Sequence, residues 1–276
     1  MINLLNAEFY KLRKSKSWLI GLIVTVLFLL LLYSSLLMID KINQGELANG
    51  SGGIMVYQNG DSIKEQGSMM EQIGVIGVIQ QMFGGNFVGL ILAVLVCMFV
   101  IQEFSNGTVK NLVGKGYSRA KIFFSKMLAA IVLTLVFQAA ALVVTVCLGI
   151  PFMGGEIYSS TVWTDVAVYG GIQILFGVVM AVIFMLIGEL TRNLAAGISV
   201  SIGLLLFSTV VTEGLDLLFR GLDLQPSKYW ILNLMEECPM TDFSTEFLVR
   251  GVLASAVWIL FAAVLGAVHF QKADVK

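Results

Sequence analysis

The chain of 276 residues is 58% hydrophobic and 13% charged, with a formal net charge of -1 and a mean hydropathy of +0.90. Soluble domains carry about 25% charged residues, so this composition excludes a water-soluble globular protein and places the chain in a bilayer. The near-balanced but segregated charge gives no case for nucleic-acid binding.

In the first 17 residues, Ile2, Leu5, Phe9 and Leu12 share one helical side, with Lys11, Arg13, Lys14 and Lys16 around the other. This pattern predicts an amphipathic helix lying flat on an anionic leaflet, an elbow before the first span. The apolar run from Trp18 to Ile39 is long enough to cross and too long for the apolar region of a cleaved signal peptide, so it is read as a retained span over 18–39. From Asp40 to Gln81 the chain is a loop rich in Gly, Asn, Ser and Gln, followed by Met69, Met70, Ile73, Ile76 and Ile79 at helical spacing. The second part of that loop rests on the outer interface or extends the next helix outward.

Span two covers 82–101 and carries Gly85 and Gly89 in a GxxxG arrangement that permits close helix contact. A basic loop over 102–126 leads to span three, 127–150, which ends at Pro151. Phe152 to Asp165 is a brief outer turn with Trp163 as an interface anchor. Span four, 166–187, and span five, 194–212, are joined by the tight link Glu189 to Asn193. Gly197 with Ser201, and Ser199 with Gly203, are small pairs four apart that suit helix packing in span five. Glu213 to Phe247 contains LDLLF and YWILNLM, apolar patches too short to cross and expected to form interfacial or re-entrant helices. Span six, 248–270, has further small pairs at Ala262 and Gly266 and at Ala263 and Ala267. The expected fold is an all-α membrane protein, one domain over 1–276 with six spans.

Charge fixes the expected orientation. With both termini cytoplasmic, 12 of the 17 Lys and Arg fall inside and 14 of the 18 Asp and Glu outside, which satisfies the positive-inside rule at every short loop. Shifting the register by one span reverses it.

The basic loop QEFSNGTVKNLVGKGYSRAKIFFSK organises the rest. Gly107 ends the preceding helix, Thr108 serves as the expected N-cap, and Gly114 with Gly116 stops a helix of barely two turns. Val109, Leu112 and Val113 share one face while Lys110, Asn111 and Lys115 point elsewhere. Such a stripe outside lipid needs a cover, either a groove on a soluble partner or, more plainly, the interface at which the loop turns. Ser118 caps a second helix, in which Arg119, Lys121 and Lys126 lead back into the membrane.

No Asp, Glu, Lys or Arg lies in the middle of a span. A carrier driven by protons or sodium needs an ionisable or unwound site near the midplane, so the energy source is expected outside the chain. The chain itself has no GxxxxGK[ST] phosphate loop and no zinc-ligand spacing around its single His269. Cys97, Cys147 and Cys238 form no disulfide framework. Gln138 in mid-span three and Gln173 in span four either line a route for polar or amphipathic cargo or hydrogen-bond a neighbouring helix, the commoner use of a membrane amide. Glu103 and Glu189 stand at span ends near basic residues; Glu103 holds the loop to receive force from a partner, or both are exposed helix-end charges of small energetic weight.

The N-terminal NAEFYKLRKSKSWLI, six spans, and a loop reading EFSNGTVKNLVGKGYSRAKIFFSK resemble the ABC transporter type-2 permease family, with its acidic residue, then GT, a KNL-like run and SR before span three. The resemblance implies a permease that dimerises with an identical or paralogous protomer and binds two cytoplasmic ABC ATPase subunits, which carry the ATP and Mg; this chain binds no cofactor. It makes Gly107 to Val113 the coupling helix, with Glu103, Ser118 and Arg119 beside it, Ile2 to Lys14 the elbow, and Glu213 to Phe247 an outer helical hairpin. Small chains of this kind resemble exporters of antimicrobial or amphipathic peptides in the plasma membrane of bacteria. The alternative is a non-transporting scaffold or substrate-capture subunit of an energised complex; an intramembrane enzyme lacks the necessary constellation of groups.

Overall fold

The computed structural model describes residues 2–48, 57–58, 61–62, 77–84, 86–153, 160–220, 225–239 and 243–272. Helices α1 (Ile2–Lys14) and α2 (Ser17–Ala48) meet at the elbow. A short helical stretch, 77–83, precedes α3 (Phe87–Ser105), and α4 (Thr108–Gly114) follows. Then come α5 (Arg119–Met153), α6 (Ser160–Thr191) and α7 (Leu194–Leu218). A 3-10 turn at Pro226–Tyr229, α8 (Ile231–Glu236) and α9 (Thr245–Lys272) complete the order. The strand content among the described residues is a two-residue ladder pairing Tyr57 with Ser62 and Gln58 with Asp61.

Six of these helical stretches are long and apolar enough to cross a membrane, in agreement with the six-span expectation. Their ends differ from the predicted ones for one reason: apolarity marks the part that needs lipid, whereas the backbone ladder continues through any residue that tolerates helical geometry. Helix α2 therefore runs on past Ile39 to Ala48, and α7 absorbs the LDLL patch, leaving Leu217 and Leu218 exposed instead of forming a separate interfacial helix. Helix α5 passes through Pro151 to Met153. Span two does not begin at Met82: the helix breaks before Asn86, which has a φ of 63° in the left-handed region that Asn enters more readily than most residues. Most of the 40–81 loop, Gly85 of the GxxxG pair and the centre of the 152–165 turn lie outside the described residues.

Helix α6 is the axis of the bundle. Of its most apolar stretch 67% is buried, against 17% for α2 and for α7. Helices α3, α5, α7 and α9 pack around it. Glycines allow the close approach to α5 and α3: a Cβ at Gly170 would meet Leu142 at 2.7 Å, one at Gly177 would fall on the Gln138 amide, and Gly188 faces Val100. Of the small pairs in α7, Gly197 and Ser201 are buried, with Gly197 against Ile101 of α3, while Gly203 has open space.

At one end of the bundle α8 is turned inward, with Ile231 to Met235 buried. Trp230 Nε1 donates to Ser208 Oγ at 2.9 Å, and Asn86 Nδ2 to Glu236 Oε1 at 3.2 Å. The hairpin expected between spans five and six is thus a 3-10 turn and a helix packed into the protein rather than laid on its surface. The basic segments gather at the opposite end.

Candidate functional site at the basic end

Helix α4 starts where Gly107 adopts φ 64° and ends before Gly116 at φ 84°. Gly107, not Thr108, occupies the N-cap position, and Thr108 is the first helical residue. Glycine suits this because the chain must reverse in the left-handed region, where a Cβ costs roughly 1–2 kcal/mol. The stripe on α4 faces into the chain itself: Val109 is 1% exposed, and Leu112 and Val113 pack half-buried against the core. Lys110, Asn111, Gly114 and Lys115 are left exposed. Ser118 stands immediately before α5, its carbonyl accepting from the Ile122 N–H at 3.2 Å. Arg119 Nη1 donates to the Gln271 carbonyl at 2.8 Å, tying the start of α5 to the end of α9.

Behind α4 lies a buried ionic network. Glu103, on the last turn of α3, is held by Lys11 Nζ of α1 at 2.7 Å and paired with Lys126 Nζ of α5 at 2.9 Å. Lys11 also donates to Glu8 Oε1 at 3.2 Å. Lys126 is fully buried, and its ammonium stands 4.5 Å from the centre of the Phe104 ring, which Arg192 approaches at 5.3 Å from elsewhere. Glu103 is therefore no exposed helix-end charge; desolvation offsets much of the attraction in its pairs, but removing one buried partner costs far more than losing a surface pair.

Glu8 is buried with one oxygen lacking a hydrogen-bond partner, and burial together with the Glu103 carboxylate pushes its pKa up to about 7, against the pull of Lys11. Burial works against the Lys11 ammonium, but Glu103 and Glu8 outweigh it and raise its pKa. Glu189 is also buried, at 1% exposure, and among the described residues neither of its carboxylate oxygens has a hydrogen-bond partner. It lies buried in the field of Lys126 and Arg192, so it is not an exposed helix-end charge.

The elbow presents two faces. Leu4 and Glu8 of α1 turn toward α5, with Leu5 and Leu12 half-buried, while Phe9 and Tyr10 stay exposed. Glu8, four residues after Leu4 and three before Lys11, was the overlooked signal: a lone acid in a basic helix, placed to face inward. Lys126 gave the matching signal, a cation already inside the apolar sequence FFSKMLAA.

The two glutamines lie apart from this network. Gln173 Nε2 donates to the Tyr169 hydroxyl and to the Met235 carbonyl of α8, both at 2.9 Å. Gln138 is buried against Gly177 with its Oε1 unpartnered. Neither these groups nor the network brings a nucleophile to a base. The arrangement is mechanical: one carboxylate, on the turn of α3 that leads into α4, joins α1, α3 and α5.

No curated protein matches the chain. A family model described as ABC-2 family transporter protein matches residues 4–211, which takes in the elbow, α4 and the first five spans. That match covers most of the chain, which belongs to the ABC-2 transporter family as a multi-pass membrane permease whose ATPase activity resides in a cytoplasmic ABC partner.

Proposed function

We propose that the chain is the membrane half of an ATP-driven exporter, in which two permease protomers work with two cytoplasmic ATPases and move amphipathic peptides outward. The basic end faces the cytoplasm, as the distribution of Lys and Arg demands. The observation that carries the reading is α4 itself: a two-turn helix bracketed by left-handed glycines, presenting Lys110, Asn111 and Lys115 outward and following directly on α3, whose last turn carries Glu103. A displacement of α4 reaches α1, α3 and α5 together because one buried carboxylate joins them.

The least buried spans, α2 and α7, offer apolar faces for a second protomer and lipid. With no charge in mid-span, cargo with an apolar face suits the path better than an ion does. ATP-driven closure of the partners moves the paired α4 helices, and the spans transmit this as transient opening between protomers.

The test is co-purification of the neighbouring ATPase with a Lys110→Glu/Lys115→Glu variant. These side chains are exposed, so the fold is kept and ATPase association is lost, with the cytoplasmic placement of the loop checked by cysteine labelling because it also loses basic charge; Leu112→Asp gives the same loss but also disturbs core packing. Normal association of the charge-reversed protein removes the docking proposal. Reconstituted vesicles that hold ATPase and ATP yet move no peptide favour a scaffold over an exporter.

A further inference from the structure

A cavity of about 200 Å³ opens beneath the elbow, between the α1–α2 junction, the last turns of α3 and the start of α4. Its lining divides by polarity. Along α3 the lining runs from Met98 and Phe99 to Gln102, Glu103 and Asn106 at the helix end, while the elbow adds the polar Lys11, Ser15 and Ser17, and Trp18 and Leu133 add apolar surface. We propose that this cavity binds one anionic phospholipid, with the phosphate on the polar side and the acyl chains leaving along the apolar wall into the leaflet at the basic end.

Position, size and charge point the same way. The cavity lies where a basic helix gives way to a span, the depth at which a bilayer changes from headgroups to hydrocarbon. Its volume falls below the roughly 300–1,000 Å³ of pockets that engulf a drug-sized ligand. It therefore suits a phosphate with its glycerol attachment, not a whole amphiphile.

Lys11 has three N–H donors; Glu8 and Glu103 take two, and its half-exposed side chain leaves the third for a ligand. Glu103, the acid that also lines the cavity, is compensated by Lys11 and Lys126. Arg13, Lys14 and Lys16 are exposed on the same elbow, so the approach is cationic. The Ser15 hydroxyl donates to Ser17 Oγ at 3.1 Å, which leaves the Ser17 hydroxyl, with the exposed Gln102 and Asn106 amides, as further donors. This assignment requires the membrane setting alone, and stands whatever the cargo or the ATPase docking surface.

The experiment is native mass spectrometry of the full chain in nonionic detergent, titrated separately with phosphatidylglycerol, phosphatidylcholine and glycerol 3-phosphate. One phosphatidylglycerol binds about fivefold more tightly than phosphatidylcholine, the factor that one nearby cation supplies. Met98→Trp, which fills the apolar wall, weakens both lipids alike, and the polar variant Lys11→Gln, which removes the cation lining the cavity, abolishes the preference. Leu135→Trp, on an exposed face of α5, leaves it intact. Should Met98→Trp fail to fold, the polar variant decides by itself. Equal affinity for the two lipids, or a preference that survives in the polar variant, overturns the proposal. So does glycerol 3-phosphate binding as tightly as phosphatidylglycerol, which identifies a soluble phosphate ester as the ligand.

Discussion

Replacing Glu103 with Gln removes the one carboxylate shared by Lys11 and Lys126, and the two lysines should respond unequally. At 2.7–2.9 Å and an effective dielectric of about 20, each pair gains about 6 kcal/mol of Coulomb attraction, much of it offset by desolvation. Lys11 is partly exposed and recovers water, whereas Lys126 is fully buried and keeps only the Phe104 ring and the field of Glu189. A buried pair broken from one side costs about 3–5 kcal/mol, and the ring returns about 1 kcal/mol, so Glu103→Gln should lose about 3 kcal/mol. Lys126→Met should cost less, about 1–2 kcal/mol, because Glu103 keeps Lys11. The double variant leaves no buried unpaired cation and should be more stable than Glu103→Gln alone, a coupling of about 2 kcal/mol. Unfolding in nonionic detergent, with the exposed Lys110→Ala as control, measures all four. Additive losses, or a Glu103→Gln protein as stable as the control, would show that the network does not bear on stability and would refute the reasoning.

Glu8 sets a pH dependence. Its folded pKa of about 7 lies above the ordinary 4.5, so the native state holds a proton that the unfolded chain releases, and stability should fall as pH rises between those values. The loss is at most about 3 kcal/mol; Glu8→Gln should abolish the slope, and an unchanged slope in unfolding midpoints from pH 4.5 to 8 would assign it to another group. Gly177→Ala should destabilise by about 1–3 kcal/mol through overpacking on Gln138. Thermal unfolding should show most of that loss recovered in Gly177→Ala/Gln138→Ala. Gly107→Ala should cost about 1–2 kcal/mol from backbone strain alone, since nothing lies within 4 Å of the new Cβ. Gly107→Asn should cost less in the same assay, and equal losses would argue against strain.

The spans were legible because a bilayer imposes a length on apolar runs, and the short helix α4 was legible because glycines bracket it. The facing of α4 and of α1 was not. Periodicity finds an apolar stripe, but it cannot say whether lipid, a partner or the chain's own core covers that stripe. Val109 turned inward, and Glu8 on the basic helix α1 did too. The ionic network escaped for a related reason. Its members come from α1, α3 and α5, separated by up to 115 positions between Lys11 and Lys126, and each alone resembles the solvated charges that flank every span. Helix ends were displaced wherever polar residues allowed the ladder to continue.

The same packing suggests how the two ends of the molecule communicate. Glu189 and Gln173 lie 16 positions apart on α6, about 24 Å along a helix with no proline to bend it. One feels Lys126 and Arg192 at the basic end, and the other holds the Met235 carbonyl of the inward-turned α8. A movement of α6 as a body would carry a change at the network to α8, because the dense core around it absorbs little displacement locally. Gly170 and Gly177 let α6 lie close enough to α5 for such movement to be guided, and Gln138 seated over Gly177 makes the contact a notch rather than a smooth face. Sliding α6 along α5 would have to lift that amide out of its seat, so the notch resists the movement.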